Sequence, residues 1–129
     1  MKLIFCLLFI FLFLGCEDKP LTYSKEELYK LAREGDPNLK LVLPSNMNEV
    51  IPCSDYGEGC LSGHRIMAKD LEFIAIEFET PKHAKKSAQG IRAWVSRNWL
   101  FDDVTGEPVL EVFVKETLKA EPAFSIERK

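Results

Sequence analysis

An apolar segment at the N-terminus, which we call the leader, determines which residues are expected to belong to the folded domain. Residues 3–14 form twelve apolar residues in a row, between Lys2 and the pair Gly15-Cys16. A helix needs about 20 apolar residues to cross a bilayer, so this run is too short for a membrane span. A basic start, a short apolar core and a small residue at the end are typical of a secretory signal peptide. The sequence therefore predicts that residues 1–15 are removed and that the folded domain is built from the remaining residues.

The end of this leader resembles the lipobox of bacterial lipoproteins, and the resemblance covers only Leu12 to Cys16. It departs from the usual pattern at Phe13, where Leu is common, and at Leu14, where Ala or Ser is common. In that family the Cys after the small residue is acylated, for example with palmitate, and becomes the first residue of the mature protein. The resemblance implies an exported protein anchored through Cys16 to the outer or inner membrane, on its periplasmic or surface face. An uncleaved anchor or a plain signal peptide are the alternatives.

Length and charge restrict the class of the mature protein. Removing 15 of the 129 residues leaves 114, which is enough for one small domain with a single core. Lys2 is the one charged residue lost, so 16 basic residues face 20 acidic ones, a net charge of −4. A nucleic-acid-binding protein needs a basic surplus or a basic face. We therefore expect no nucleic-acid partner.

Two cysteines remain for the folded domain. Cys6 would leave with the leader, and the resemblance implies that Cys16 would carry the lipid, which leaves Cys53 and Cys60 as an even pair in an expected oxidising compartment. Such a pair predicts a disulfide. The chain-entropy estimate for so short a loop, residues 54–59, is about 2 kcal/mol.

A metal site is the alternative use of this segment. Two thiolates and the imidazole of His64 suit zinc, but no fourth ligand stands at a familiar spacing. The loop carboxylates Asp55 and Glu58 suit calcium, but their spacing does not match an EF-hand. We expect neither a metal nor a cofactor.

The pattern of elements predicts an α+β domain over residues 23–120, after a short tether at 16–22. A first helix from Lys25 to Glu34 begins at the capping box of Ser24 and Glu27 and ends at Gly35. Apolar runs predict a small antiparallel sheet from about residue 38 to 78, with helices on one face. Its members are a strand at 38–43, two hairpin arms at 49–53 and 60–68 around the cysteine loop, and an interior strand at 71–78.

Two more helices complete the expected fold. Thr80-Pro81 predicts a helix start, and the apolar spacing continues it to about Trp99. Residues 107–120 carry apolar residues at helical spacing, although a strand also suits them, and a helix is favoured. Residues 121–129 are polar and are expected to be a frayed tail.

Partner-binding residues are expected at two places. One is the cysteine loop, at Asp55, Tyr56 and Glu58. The other is the aromatic end of the second helix, at Trp99 and Phe101, although burial in the core is favoured for bulky residues in so small a domain. The basic face of that helix either is solvated or rests on anionic headgroups.

A catalytic site has weaker support. Ser62 and His64 lie two residues apart, so a strand would place them on one face. No third group that would orient His64 is evident, and no nucleophile elbow is present. We therefore assign no catalytic residue.

These observations together predict a membrane-anchored envelope lipoprotein that acts as a non-catalytic binding or assembly accessory module, with another envelope protein as its partner. The alternative is a small exported enzyme or metal-binding protein centred on Ser62, His64 and the Cys53–Cys60 loop. A pilotin-like accessory protein is not separable from the first class by sequence.

Overall fold

The computed structural model describes residues 21–124. The predictions for the leader, for Cys16 and for the last five residues lie outside this range. Within it, three α-helices and six strands succeed one another, and two short 3-10 turns lie at Met47–Glu49 and Cys53–Asp55. In chain order they are α1 (Lys25–Gly35), β1 (Lys40–Val42), β2 (Cys60–Ala68), β3 (Leu71–Phe78), α2 (Pro81–Ile91), β4 (Trp94–Ser96), β5 (Trp99–Asp102), α3 (Pro108–Glu116) and β6 (Glu121–Pro122).

All six strands form one antiparallel sheet in the order β1-β2-β3-β5-β4-β6. The predicted α+β class is therefore confirmed. The interior position predicted for residues 71–78 is also confirmed, since β3 lies between β2 and β5 and buries side chains on both faces. Such burial on two faces explains why its apolar residues run on without alternation.

The sheet is larger than predicted because the second helix is shorter than predicted. α2 ends at Ile91, and Arg92 lies next in the left-handed region with φ of 57°. The residues from Trp94 to Asp102 then form the β4–β5 hairpin instead of continuing the helix. Trp94, Val95, Trp99 and Phe101 in this stretch are aromatic or β-branched, and such residues suit a pleated surface. Side chains alternate between the two sheet faces, with Trp94 on one and Val95 on the other.

Helices cover both faces of the sheet, which corrects the expectation that they lie on one face. α1 and α3 pack on the face that carries Phe73, Trp99 and Phe101. α2 packs on the opposite face through Ala84 and Ala88. The sheet therefore separates two apolar clusters, and the central strands β3 and β5 contribute to both.

α1 agrees closely with its local signals. The Ser24 side chain accepts from the Glu27 N–H, and the Glu27 carboxylate accepts from the Ser24 N–H, so the predicted capping box is confirmed. Gly35 is the last helical residue and Asp36 is the C-cap, one residue later than predicted. Gly35 has room only for hydrogen, because a β-carbon there would overlap the Thr117 side chain.

Three other predictions need correction or refinement. Residues 49–53 are not a hairpin arm, because the chain between β1 and β2 forms the two 3-10 turns, beside prolines that cannot donate to a sheet. The helix favoured for 107–120 is confirmed over Pro108–Glu116. The expected tail at 121–129 begins with an ordered strand, since β6 pairs with β4.

The described residues contain no helix that is both long enough and apolar enough to cross a bilayer.

Candidate functional site

The cysteine loop is held against the domain at several points. Cys53 and Cys60 form the predicted disulfide, with their α-carbons 5.4 Å apart. The Ser87 hydroxyl of α2 donates to the Tyr56 carbonyl at 2.6 Å. The Tyr56 hydroxyl donates to the Asp102 carboxylate at 2.8 Å. The loop is therefore a docked part of the surface and not a free tip.

Each of the three predicted loop residues has a distinct position. Asp55 and Glu58 are exposed, and the Glu58 carboxylate lies 4.0 Å from Nε2 of His83. Tyr56 is half-buried, and burial and then the hydrogen bond to Asp102 raise the pKa of its hydroxyl. Tyr56 therefore stays a hydrogen-bond donor at neutral pH and serves to hold the loop, while the two carboxylates face solvent.

Trp99 and Phe101 do not form an exposed aromatic patch. Both are fully buried on β5, within the cluster covered by α1 and α3. They lie on a central strand and not at a helix end, so the prediction that they form a partner surface is wrong. The structure shows the favoured assignment of both residues to the core.

Ser62 and His64 lie on the other face of the sheet from the disulfide. Their side chains point to the α1 side, where His64 packs near the rings of Tyr29 and Trp99 at centroid distances of 6.3 and 6.2 Å. Cys60 packs into the α2-side cluster. The sheet therefore separates the two groups, and the cysteine loop and the Ser62–His64 pair do not form one site.

A pocket opens at the sheet edge beside His64, and we call it the edge pocket. β1 ends at Val42, opposite Arg65, whereas β2 extends beyond this pair to Cys60. The chain from Leu43 to Ile51 crosses this uncovered end of β2 and encloses a cavity of about 100 Å³. It is lined by Lys25, Tyr29, Leu41, Val42, Leu43, Pro44, Glu49, Val50, Ile51, Gly63, His64 and Arg65.

Gly63 is required for the close approach of this crossing segment. A β-carbon at Gly63 would lie 2.7 Å from Cγ2 of Ile51 and 2.8 Å from Cδ1 of Ile76. No residue other than glycine fits there without movement of the neighbouring side chains. The segment therefore packs on bare backbone of β2, and that contact closes one side of the edge pocket.

The polar groups of the edge pocket centre on His64. The Ser62 hydroxyl lies 3.0 Å from Nε2 of His64. Burial, and then the charge of Lys25, lower the pKa of His64, so the imidazole is neutral at pH 7. Burial raises the pKa of Tyr29 to about 12. Its hydroxyl is buried and has no hydrogen-bond partner within residues 21–124.

The Ser62 hydroxyl has a second neighbour in Glu77, which pairs with it across the β2–β3 ladder. Burial raises the pKa of Glu77, and a hydrogen bond from Ser62 opposes that increase. A hydroxyl carries a single proton. When Ser62 donates to the Glu77 carboxylate, His64 must donate to Ser62, and the imidazole is then not a base for the hydroxyl.

The rim of the edge pocket is apolar and exposed. Leu43 is 77 % exposed, and Leu41 and Val50 beside it also reach solvent. Met47 is 83 % exposed and lies on the 3-10 turn that leads into Val50. Sequence reasoning missed this rim. Its one signal was a run of apolar residues ending at Pro44, which is equally typical of a buried strand.

The half-buried His64 predicts acid sensitivity. The pKa of His64 is lower in the folded protein than in the unfolded chain, so the unfolded chain binds this proton more readily. The contribution of His64 to the free energy of unfolding is therefore complete above the ordinary pKa of 6.5, and it is lost as the pH falls toward the folded pKa. We expect urea unfolding to show lower stability at about pH 5.5 than at about pH 7.5, and a smaller loss in His64→Gln. The raised pKa of Glu77 has the opposite effect on the pH dependence of stability, but Glu77 is present in both the wild type and His64→Gln, so its effect cancels in the comparison. An equal loss in the two proteins would contradict the role of His64.

Comparison of the chain with protein-family models, with curated proteins and with solved structures found no match. Within residues 21–124, no group of three or more His, Cys, Asp or Glu side chains is arranged to hold a metal ion. The function of the edge pocket therefore has to be inferred from its own geometry.

Proposed function

We propose that the mature chain is a lipid-anchored binding module of the bacterial cell envelope, without catalytic activity, and that the edge pocket and its apolar rim contact the partner protein. The observation that carries the binding role is the exposure of Leu43 at the mouth of a pocket, with the exposed Met47 on the 3-10 turn that leads into the pocket residue Val50. Exposed apolar patches beside a concave site are typical of protein-interaction surfaces. The leader and the lipobox-like end at Cys16 support the anchor.

The pocket adds specificity to this rim. A cavity of about 100 Å³ suits one partner side chain and not a large ligand. Lys25, Glu49 and Arg65 at its border provide charges that select the orientation of the partner. The exposed carboxylates of Asp55 and Glu58, on the α2 side of the sheet, are a second candidate contact.

A variant pair tests the binding surface. Leu43→Ser with Met47→Ser should leave the fold intact and remove the partner from cross-linked complexes purified from native envelope. The matched control is Val109→Ser with Val112→Ser, two residues of α3 that are also exposed, at 48 and 53 %. The control should retain the same partner. Equal capture by both variants would reject the edge pocket as the contact.

The anchor is tested separately by intact-mass measurement of protein purified from its own cells. We expect a chain that begins at Cys16 and carries the added mass of acyl groups. An unmodified chain that still begins at Met1 would reject the lipoprotein assignment.

An enzyme at Ser62 and His64 is the second candidate, favoured by the 3.0 Å contact between their side chains. A fluorophosphonate probe separates the two proposals, because it labels a serine that a neighbouring base activates. Labelling at Ser62 that is lost in His64→Ala would favour the enzyme. Absence of labelling supports the binding module.

A further inference from the structure

The chain enters the fold at a firmly held residue, Tyr23. Its N–H donates to Oδ1 of Asn98 at 2.7 Å, and its carbonyl accepts from Nε1 of Trp99 at 2.9 Å and from Nδ2 of Asn98 at 3.3 Å. The guanidinium carbon of Arg97 lies 4.0 Å from the centre of its ring. Asn98 and Trp99 are buried. The start of the domain is therefore fixed to the β4–β5 hairpin.

The tether sets how far this point can lie from a lipid on Cys16, and this step rests on the proposed function. Seven residue steps separate Cys16 from Tyr23. At a maximum of about 3.5 Å per residue, the tether reaches about 25 Å. Tyr23 therefore cannot lie farther than about 25 Å from a lipid-bearing Cys16 in any conformation of the tether.

Basic side chains surround this attachment point. Lys85, Arg97 and Lys119 line the same surface depression as Tyr23, and Glu121 is its one acidic lining residue. All three basic residues are exposed. They come from three separate parts of the chain, namely α2, the β4–β5 turn and the residues after α3. The mature chain as a whole is acidic, so this local surplus of positive charge runs against its overall balance.

The lysines on the basic face of α2 lie in two different surface regions. Lys86 borders the groove between α2 and the cysteine loop. Lys85 belongs to the depression around Tyr23, whereas Lys82 lines a separate depression together with Glu58 and Lys86. Hydrogen bonds with Ser24, and then the charge of Arg97, lower the pKa of Glu27 near the start of α1. We call Lys85, Arg97 and Lys119 the tether-side cluster.

We propose that the tether-side cluster rests on the anionic headgroups of the bilayer that holds Cys16. A lipid tether raises the local concentration of the domain at the membrane, and basic side chains near an anionic surface then favour one orientation. The contact is electrostatic and is weakened by salt. It orients the domain so that the chain leaves Tyr23 toward the membrane.

The test uses the chain from Cys16 to Lys129, which contains every residue of the described fold. With Cys53 and Cys60 oxidised, Cys16 is the single free thiol, and it is coupled to a maleimide lipid in vesicles. One vesicle is phosphatidylcholine, and the other contains about 30 % phosphatidylglycerol, an anionic lipid. Lysine acetylation by an N-hydroxysuccinimide ester is monitored by mass spectrometry. Because the anchor is chemical, the outcome does not depend on whether cells acylate Cys16.

We expect Lys85 and Lys119 to react roughly threefold more slowly on the anionic vesicle, and the difference to vanish in about 1 M salt. Lys40 and Lys69, at the opposite end of the β2–β3 hairpin from Phe78, should react equally on both vesicles. Equal rates for the tether-side lysines on the two vesicles would overturn the proposal.

Charge reversal provides the matched comparison. Arg97→Glu with Lys119→Glu should abolish the protection of Lys85, whereas Lys40→Glu with Lys69→Glu should leave it unchanged. Thermal unfolding checks that both variants fold, and the wild-type footprint stands by itself if either fails. Protection of Lys85 that survives in the first variant would overturn the proposal.

Discussion

Trp99→Ala is expected to destabilise the domain by about 3 to 5 kcal/mol, the range found when large buried aromatic residues are truncated. Trp99 has no exposed surface, and its ring lies in the cluster that α1 and α3 cover. Its Nε1–H also donates to the Tyr23 carbonyl at 2.9 Å. The substitution therefore opens a cavity and removes a hydrogen bond to the first residue held by the fold. Urea unfolding at neutral pH measures the loss.

An exposed apolar residue provides the control for this experiment. Val112 on α3 is 53 % exposed, so Val112→Ala should change the free energy of unfolding by less than about 0.5 kcal/mol. A large loss of stability in Trp99→Ala together with a small change in Val112→Ala distinguishes a core residue from an apolar residue on the surface. Near-wild-type stability of Trp99→Ala would contradict the placement of Trp99 in the core.

Asn98→Ala is expected to cost about 2 to 4 kcal/mol, because it removes three side-chain hydrogen bonds and takes this partner from the Tyr23 N–H and from the buried Phe78 carbonyl. Asn98 is 3 % exposed. Its amide accepts from the Tyr23 N–H and donates to the carbonyls of Tyr23 and Phe78. The side chain thus joins the start of the domain to the end of β3 and to the β4–β5 turn. Urea unfolding and amide hydrogen exchange at Tyr23 measure the effect.

Asn38→Ala is the matched control for this change. Asn38 is exposed, and its contact with Asp36 uses the backbone N–H, which the substitution retains. Its stability should therefore stay close to that of the wild type. Rapid exchange at Tyr23 in Asn98→Ala, together with slow exchange in Asn38→Ala, is the expected pattern. Slow amide hydrogen exchange at Tyr23 in both variants would show that Asn98 does not hold the start of the domain.

Features with strong local signals were predictable from the sequence. The capping box of Ser24 and Glu27 acts within one turn, so it locates the start of α1 without any knowledge of the rest of the fold. Thr80 at the start of α2 works in the same way. The disulfide was predictable from the count of cysteines in a chain expected to be exported, which does not depend on the topology.

The β4–β5 hairpin was not predictable from local signals, for a physical reason. Ala84, Ala88 and Ile91 set a helical period that Val95 continues, so the local pattern does not mark the end of α2. The helix stops because residues from Trp94 onward pair with β3 and β6, partners distant in sequence. Long-range pairing of this kind overrides local propensity.

Some features of the candidate site were likewise predictable from the local sequence, and others were not. The approach of Ser62 to His64 was predictable from the two-residue period of a strand, and the structure places the two side chains in contact. The burial of Trp99 and the exposure of Met47 were not predictable from residue type, because both depend on how the segments of the chain pack around the sheet. The edge pocket depends on a mismatch in length between β1 and β2, which is a property of the sheet and not of either segment.

The amino-acid sequence alone determined the apolar leader, the acidic balance, the paired cysteines and the starts of α1 and α2, because each of these depends on composition or on neighbours within a few residues. Only the tertiary structure decided the strand order, the two-sided helical cover, the burial of Trp99 and Phe101, and the gathering of basic residues around Tyr23. These features depend on contacts between segments that are far apart in the chain. Which segments bury apolar surface and pair backbone groups with one another is determined by the free energy of the whole domain.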